Sequence, residues 1–189
     1  MCGIAGIISL NRQPVETQAI KRMCDTIAHR GPDDAGYTFF RLSENKLGEG
    51  GYWCEFADAE FKHINEHLPV FGGDYFKEET SKHDFSVGLG HRRLASIDLT
   101  QYGRQPMSSS DRRDWVVYNG EIYNYPEIRE ELRANGHVFR TRSDTEVLLH
   151  LWEEYDIDSL QMLDGMFAFA IYDRHDNRLF LARDRFGVK

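Results

Sequence analysis

Apolar positions along this chain recur with two different periods, and the alternation between them outlines a fold. GIAGIIS (3–9) is a short continuous apolar run and predicts a buried strand. In VETQAIKRMCDTIAHR (15–30), Val15, Ile20, Met23, Cys24 and Ile27 recur at helical spacing, which predicts an amphipathic helix with Cys24 on its buried stripe. RGPDDAG (30–36) breaks that helix, and YTFFRL follows as a strand. FSVGLGHRRL reads as a strand entering a turn, and DWVVYNG as a strand ending in a glycine. Pro126 opens the helix PEIREELRAN and Gly136 closes it. HVFRTR reads as a short strand. SDTE (143–146) has the capping-box pattern, with Ser143 and Glu146 ahead of the helical run VLLHLWEEY. GMFAFAIYD and NRLFLARD form a hairpin across RHDN.

Strands therefore arrive in antiparallel-compatible groups separated by amphipathic helices, with no regular βαβ alternation and no internal repeat. The expected class is α+β. Residues 43–84 have a different character, with ten acidic residues against four lysines. Their glycines and aromatics predict an excursion from the core rather than a disordered tail. Within it, His63 and His67 (HINEH) have the i, i+4 spacing of a helical metal pair. No third ligand is apparent nearby and the glutamate is misplaced for a zinc protease helix, so a solvated face is the expectation and no metal site is assigned.

Composition narrows the classes. At 189 residues the chain has the size of one domain with a substantial core. A formal charge of −8, without a long Lys/Arg run, argues against nucleic acid as a partner. GIAGIISL is too short to span a bilayer and lacks the basic flank and cleavage site of a signal peptide. Cys2, Cys24 and Cys54 are odd in number and widely spaced, which suits free thiols in a reducing cytoplasm.

The second residue raises the chemical question. Cys2 is either a small residue at the start of a strand or a nucleophile that becomes the N-terminus when Met1 is removed. In the second case one residue carries both a thiol, with a reference pKa of about 8.5, and an α-amine of about 7.7–8.0 that can take the thiol proton. With Met1 retained that nitrogen is an amide, and the form should be inactive. An acyl-transfer nucleophile also needs oxyanion donors, and Asn119-Gly120 in YNGEIYN offers them, although Asn-Gly equally marks a turn. In GHRRL, Arg92 or Arg93 could clamp a carboxylate or form a surface ion pair. Asp144 could hold an ammonium or simply favour a helix N-terminus.

MCGIAGI, HRGPDDAGY, GLGHRRLASIDL, YNGEIYNYPEIREEL, RSDTEVLLHLWEEY, LDGMFAFAIYD and ARDRFGVK follow one another in a fixed order. In that order the chain resembles the N-terminal glutaminase domain of glutamine-hydrolysing asparagine synthetases, a class II amidotransferase of the N-terminal nucleophile type. The resemblance covers nearly everything except 43–84, and it implies a four-layer αββα sandwich of two antiparallel sheets between helical layers. It implies Cys2 as nucleophile and Asn119 with Gly120 as oxyanion hole. Arg93 would hold the glutamine α-carboxylate, and Glu121 and Asp144 the α-amino group. Leu94 and Ser96 would line the pocket, with Ser96 standing where the family often has an aliphatic residue.

Two departures accompany the resemblance. The acidic segment at about 43–84 is longer than the usual connection, and the chain stops at RDRFGVK where relatives continue into an ATP-dependent synthetase domain. No G-x-x-x-x-G-K-S/T loop is present. The expectation is a cytoplasmic glutaminase half (residues 1–189) that takes glutamine and has no cofactor of its own. ATP and magnesium belong to the missing C-terminal synthetase domain, which would amidate aspartate with the ammonia, and a sheet edge left open would invite a homodimer. The competing expectations are the same chemistry serving another acceptor, such as a surface-polysaccharide or sugar precursor, and a non-catalytic binding module.

Overall fold

The computed structural model describes residues 1–11, 13–42 and 51–189. Strands β1 (Gly3–Ile8), β2 (Asp34–Phe40), β3 (Trp53–Ala57) and β4 (Val87–Arg93) form one antiparallel sheet in the order β1-β4-β2-β3. Strands β5 (Met107–Ser108), β6 (Asp114–Ile122), β7 (Gly165–Asp173) and β8 (Arg178–Arg183) form a second, in the order β5-β6-β7-β8. The principal helices are α1 (Thr17–Thr26), α2 (Asp74–Lys82), α3 (Tyr125–Ala134) and α4 (Asp144–Tyr155).

The period-2 alternation of each strand assigns its side chains to layers. Even positions of β4 face α1. There Gly88 and Gly90 let the helix lie close, since a Cβ on Gly90 would sit 2.6 Å from Sγ of Cys24. Odd positions, Val87 and Leu89, enter the space between the sheets with Trp115, Val117, Ala170 and Tyr172. Phe40 closes that space, 5.5 Å from the Trp115 ring and 4.8 Å from that of Tyr172. On the far side of the second sheet, Val116, Tyr118, Phe169 and Ile171 pack on Ile128, Leu132, Leu148 and Trp152 of α3 and α4. Helix, sheet, sheet, helix is the αββα sandwich that the resemblance implied.

Several local expectations change. β1 is an edge strand of alternating burial, because only β4 pairs with it. In α1 Ile20 and Cys24 are fully buried, whereas Met23 is exposed. Ser143 does cap α4, accepting from Thr145 N–H at 3.1 Å. Glu146 does not complete the capping box. Its carboxylate instead accepts from Arg140 N–H at 2.8 Å and Thr141 N–H at 2.7 Å. HVFRTR is for the same reason not a strand: Glu146, together with Asp98 for Arg142 N–H, takes the amides a partner strand would need.

The acidic segment also departs from its composition. Residues 43–50 lie outside the described residues; the rest, 51–84, is less of an excursion than expected. It supplies β3 and α2, and Cys54, Phe56, Phe61, Phe71 and Phe76 join the core beneath α1. Its aromatics rather than its charges decide its position. HINEH forms turns, not a helix, and both His63 and His67 are exposed. Among the described residues no helix is long and apolar enough to cross a membrane.

Candidate active site

At one end of the sandwich the loop after β4, the start of β1, the end of β6 and the N-terminus of α4 enclose a cavity of about 340 Å³. Cys2, Arg93, Leu94, Ser96, Gly120, Glu121 and Asp144 all line it. Residues from positions 2 to 144 converge because their strands all open toward this end. Asn119 is buried on β6 beside the cavity but does not line it.

Cys2 precedes the first ladder pair of β1, Gly3 with Arg92. Its Sγ accepts from Leu94 N–H at 3.4 Å and donates toward Leu94 O at 3.7 Å. Burial pushes the thiol above its ordinary range. The Leu94 hydrogen bond, the terminal amine and Arg93 oppose that rise, and Asp144 adds to it. The loop carrying Leu94 is held in turn by Asp33 of RGPDD, whose carboxylate accepts from Ala95 N–H at 2.9 Å and whose own N–H donates to Arg93 O.

The two arginines separate by strand parity. Arg92 points to the α1 side, donating to Gly31 O at 3.1 Å and lying 5.2 Å from the Phe61 ring centroid. Arg93 points between the sheets and into the cavity wall. Both are buried and neither is the surface ion pair that spacing alone allowed. Arg93 is fixed by donating to Thr100 O at 2.8 Å and to Asp98 O. Gly103 lies against the guanidinium. Burial lowers the arginine's pKa from its ordinary value, with Asp34 and Asp98 opposing the change.

Opposite stands Asp144, buried in the first turn of α4. Its carboxylate accepts from Tyr118 Oη at 2.7 Å and Ile122 N–H at 3.3 Å. Burial raises its pKa, while those donors and the helix amides lower it. Glu121 is exposed at the cavity rim, as are Leu94 and Ser96. Gly120 is required by packing as well as by access: a Cβ there would lie 2.3 Å from Met166 O on β7. The side-chain amide of Asn119 has no hydrogen-bond partner among the described residues. It shares the inter-sheet face of β6 with Val117, the face turned toward β1.

Sequence reasoning missed the supports. Gln105 accepts from Tyr118 N–H at 2.6 Å and donates to Thr145 Oγ1 at 3.1 Å, tying the loop before β5 to β6 and α4. Asp98 turns its loop by accepting from Thr100 N–H at 2.8 Å. The Asp-x-Thr spacing is a legible turn signal. That its carbonyl would receive Arg93 is not legible.

A family model described as "Glutamine amidotransferase domain" matches residues 1–49 and 53–189. The chain belongs to that family. This amidotransferase domain is 39% identical over 192 residues to asparagine synthetase (glutamine-hydrolyzing) 3 of Bacillus subtilis, covering all of this chain and 24% of that protein. It is 40% identical over 189 residues to a putative asparagine synthetase 1 of Methanocaldococcus jannaschii, covering 29% of it. The amidotransferase domain thus spans about a quarter of the length of these relatives and is homologous to their glutaminase part. Its fold matches that of a solved allosteric regulatory enzyme of purine biosynthesis, with a TM-score of 0.72 at 23% identity. The match covers the whole amidotransferase domain and 38% of that chain.

Proposed function

We propose that this domain hydrolyses glutamine to glutamate and ammonia through a thioester on Cys2. The observation that carries the reading is the placement of Cys2, just ahead of β1, in a cavity walled by a fixed guanidinium and a buried carboxylate. A free α-amino acid offers the complementary pair. Its α-carboxylate goes to Arg93 and its ammonium to Asp144 and Glu121, which leaves the side-chain amide at Sγ. Bidentate recognition of the carboxylate suits the planar guanidinium.

Removal of exposed Met1 gives Cys2 the free amine. That amine takes the thiol proton, and sulfur attacks the amide carbon as the carbonyl electrons move onto oxygen. Asn119 and Gly120 donate to this oxyanion. The intermediate collapses, the C–N bond breaks, and the amine returns its proton to the leaving nitrogen, which departs as ammonia. Water then attacks the thioester, releasing glutamate and restoring the thiol.

In this reading the domain works without a cofactor. A synthetase domain of the parent protein, using ATP and magnesium, takes the ammonia to aspartate in the cytoplasm. The homology to asparagine synthetases favours aspartate over another acceptor. Copies would pair along the edge strand β8, where Leu181 is exposed. The test is ammonia and glutamate release from glutamine by protein lacking Met1. A processed, folded protein that binds glutamine and never forms glutamate would support a binding module instead.

A further inference from the structure

Away from the cavity, where α3 ends against α4, His137, His150 and Glu153 bring three ligand atoms within 4.8 Å of one another. Nδ1 of His137 lies 3.2 Å from Nδ1 of His150, which lies 2.6 Å from Oε2 of Glu153; the third edge, from His137 Nδ1 to Glu153 Oε2, is 3.9 Å. A tetrahedral ion with bonds of about 2.0–2.2 Å has ligand–ligand edges of about 3.3–3.6 Å. The observed edges bracket that value. We propose that this cluster is a binding site for a divalent transition-metal ion of the zinc class.

The backbone prepares the cluster. α3 ends with Gly136 at φ 99°, the Gly136 N–H donates to Arg133 O, and the His137 N–H donates to Leu132 O. This paired closure fixes where His137 stands. His150 and Glu153 are three residues apart on α4 and share a face. His150 is buried, its ring 4.8 Å from that of Phe139 in an edge-on contact.

The remaining ring nitrogens also meet carboxylates. Nε2 of His137 lies 3.1 Å from Oε2 of Glu154, and Nε2 of His150 lies 3.9 Å from Oε1 of Glu146. The Glu154 carboxylate, at hydrogen-bond distance from Nε2 of His137, favours the tautomer that leaves Nδ1 of His137 free as a ligand. Two nitrogens and one oxygen suit zinc, cobalt or nickel rather than magnesium or calcium. The partly exposed side of His137 and Glu153 leaves a fourth position for water.

The site is independent of the glutaminase reading and can be tested on the full chain carrying Cys2→Ala, which removes the half-buried cavity thiol as a rival ligand. Titration with cobalt should give one equivalent with the intense visible bands of a four-coordinate ion, displaced by zinc. Glu153→Gln and His137→Ala alter partly exposed positions and should each weaken zinc by more than the 10–100-fold typical of outer partners. Glu154→Gln should weaken it by about tenfold. The same three variants, made with Cys2 intact, should keep full glutaminase activity in the absence of metal. Wild-type-like affinity in both ligand variants would overturn the assignment, as would the absence of a four-coordinate cobalt spectrum or loss of binding on His67→Ala.

Discussion

Gly103 stands where a Cβ would lie 2.4 Å from Nη2 of Arg93. The loop that receives the guanidinium through Asp98 and Thr100 thus also shapes itself around it, and the arginine's position depends on a missing side chain 10 residues away in sequence. Gly103→Ala should fold, because the overlap is with a side-chain end. It should raise KM for glutamine about tenfold, with a smaller effect on kcat. A KM like that of the parent would show that Arg93 does not hold substrate.

Arg93→Lys and Arg92→Lys form the complementary pair. Lysine loses the planar fork that a carboxylate requires, so Arg93→Lys should lower kcat/KM by about 10–100-fold. Arg92 contacts Gly31 O and the Phe61 ring, and its replacement should act on thermal stability instead. Equal kinetic losses would mean that strand parity does not separate their roles.

Cys2→Ala should abolish ammonia release, and Asn119→Ala should lower kcat by about 10²–10³-fold, the usual worth of one oxyanion donor. Because burial raises the Cys2 thiol while Met1 blocks its amine, the Met1-retaining form should be alkylated slowly at neutral pH. Alkylation should quicken once Met1 is removed. Rates with iodoacetamide, followed by mass spectrometry of the N-terminal peptide, measure both forms.

Asp144 must be ionised to hold an ammonium, yet burial raises its pKa. Glutamine affinity should accordingly fall on acidification at a higher pH than for an ordinary aspartate. Asp144→Asn keeps an acceptor for Tyr118 Oη and Ile122 N–H, so the fold should hold while KM rises about tenfold or more. Unchanged KM across that pH range in Asp144→Asn would remove the residue from the site.

Asp114 tests the electrostatics of the second sheet. Burial first, and the charge of Asp173 second, push its pKa up to about 6, and its Oδ1 is buried without a partner. The native state therefore binds this proton more tightly than the unfolded chain. Stability from this group is full below the unfolded value, declines as pH rises through about 6, and stays low above it. Asp114→Asn should stabilise the protein by about 1–3 kcal/mol at pH 7.5 and by much less near pH 4. Chemical denaturation at the two pH values gives the comparison.

What the sequence disclosed follows from the range of each interaction. Helical and strand periods placed α1, β4, β6 and the β7–β8 hairpin, because burial of one face is written locally in the residues that face it. Motif order placed Cys2, Arg93 and Asp144 in one family of sites. HVFRTR misled because its apolar content is strand-like, while its amides are taken by Glu146 and Asp98 from elsewhere in the chain. Gly103 and Gln105 were silent, since their partners are a guanidinium and a backbone amide on other elements. The histidines that do converge, 137 and 150, lie on either side of a turn, whereas the closely spaced pair 63 and 67 does not form a helix.

β1 lies at the margin of its sheet, and its first paired residue is Gly3, opposite Arg92, not Cys2. Everything that keeps the strand in register thus lies downstream of the bond a methionine aminopeptidase would cut. Under the proposed mechanism maturation and folding become separable events: the sandwich can close first and be switched on afterwards, with no strand hydrogen bond broken by the cut. A pool of folded but unprocessed molecules would be dormant rather than damaged, and one proteolytic step would set how much of it is awake.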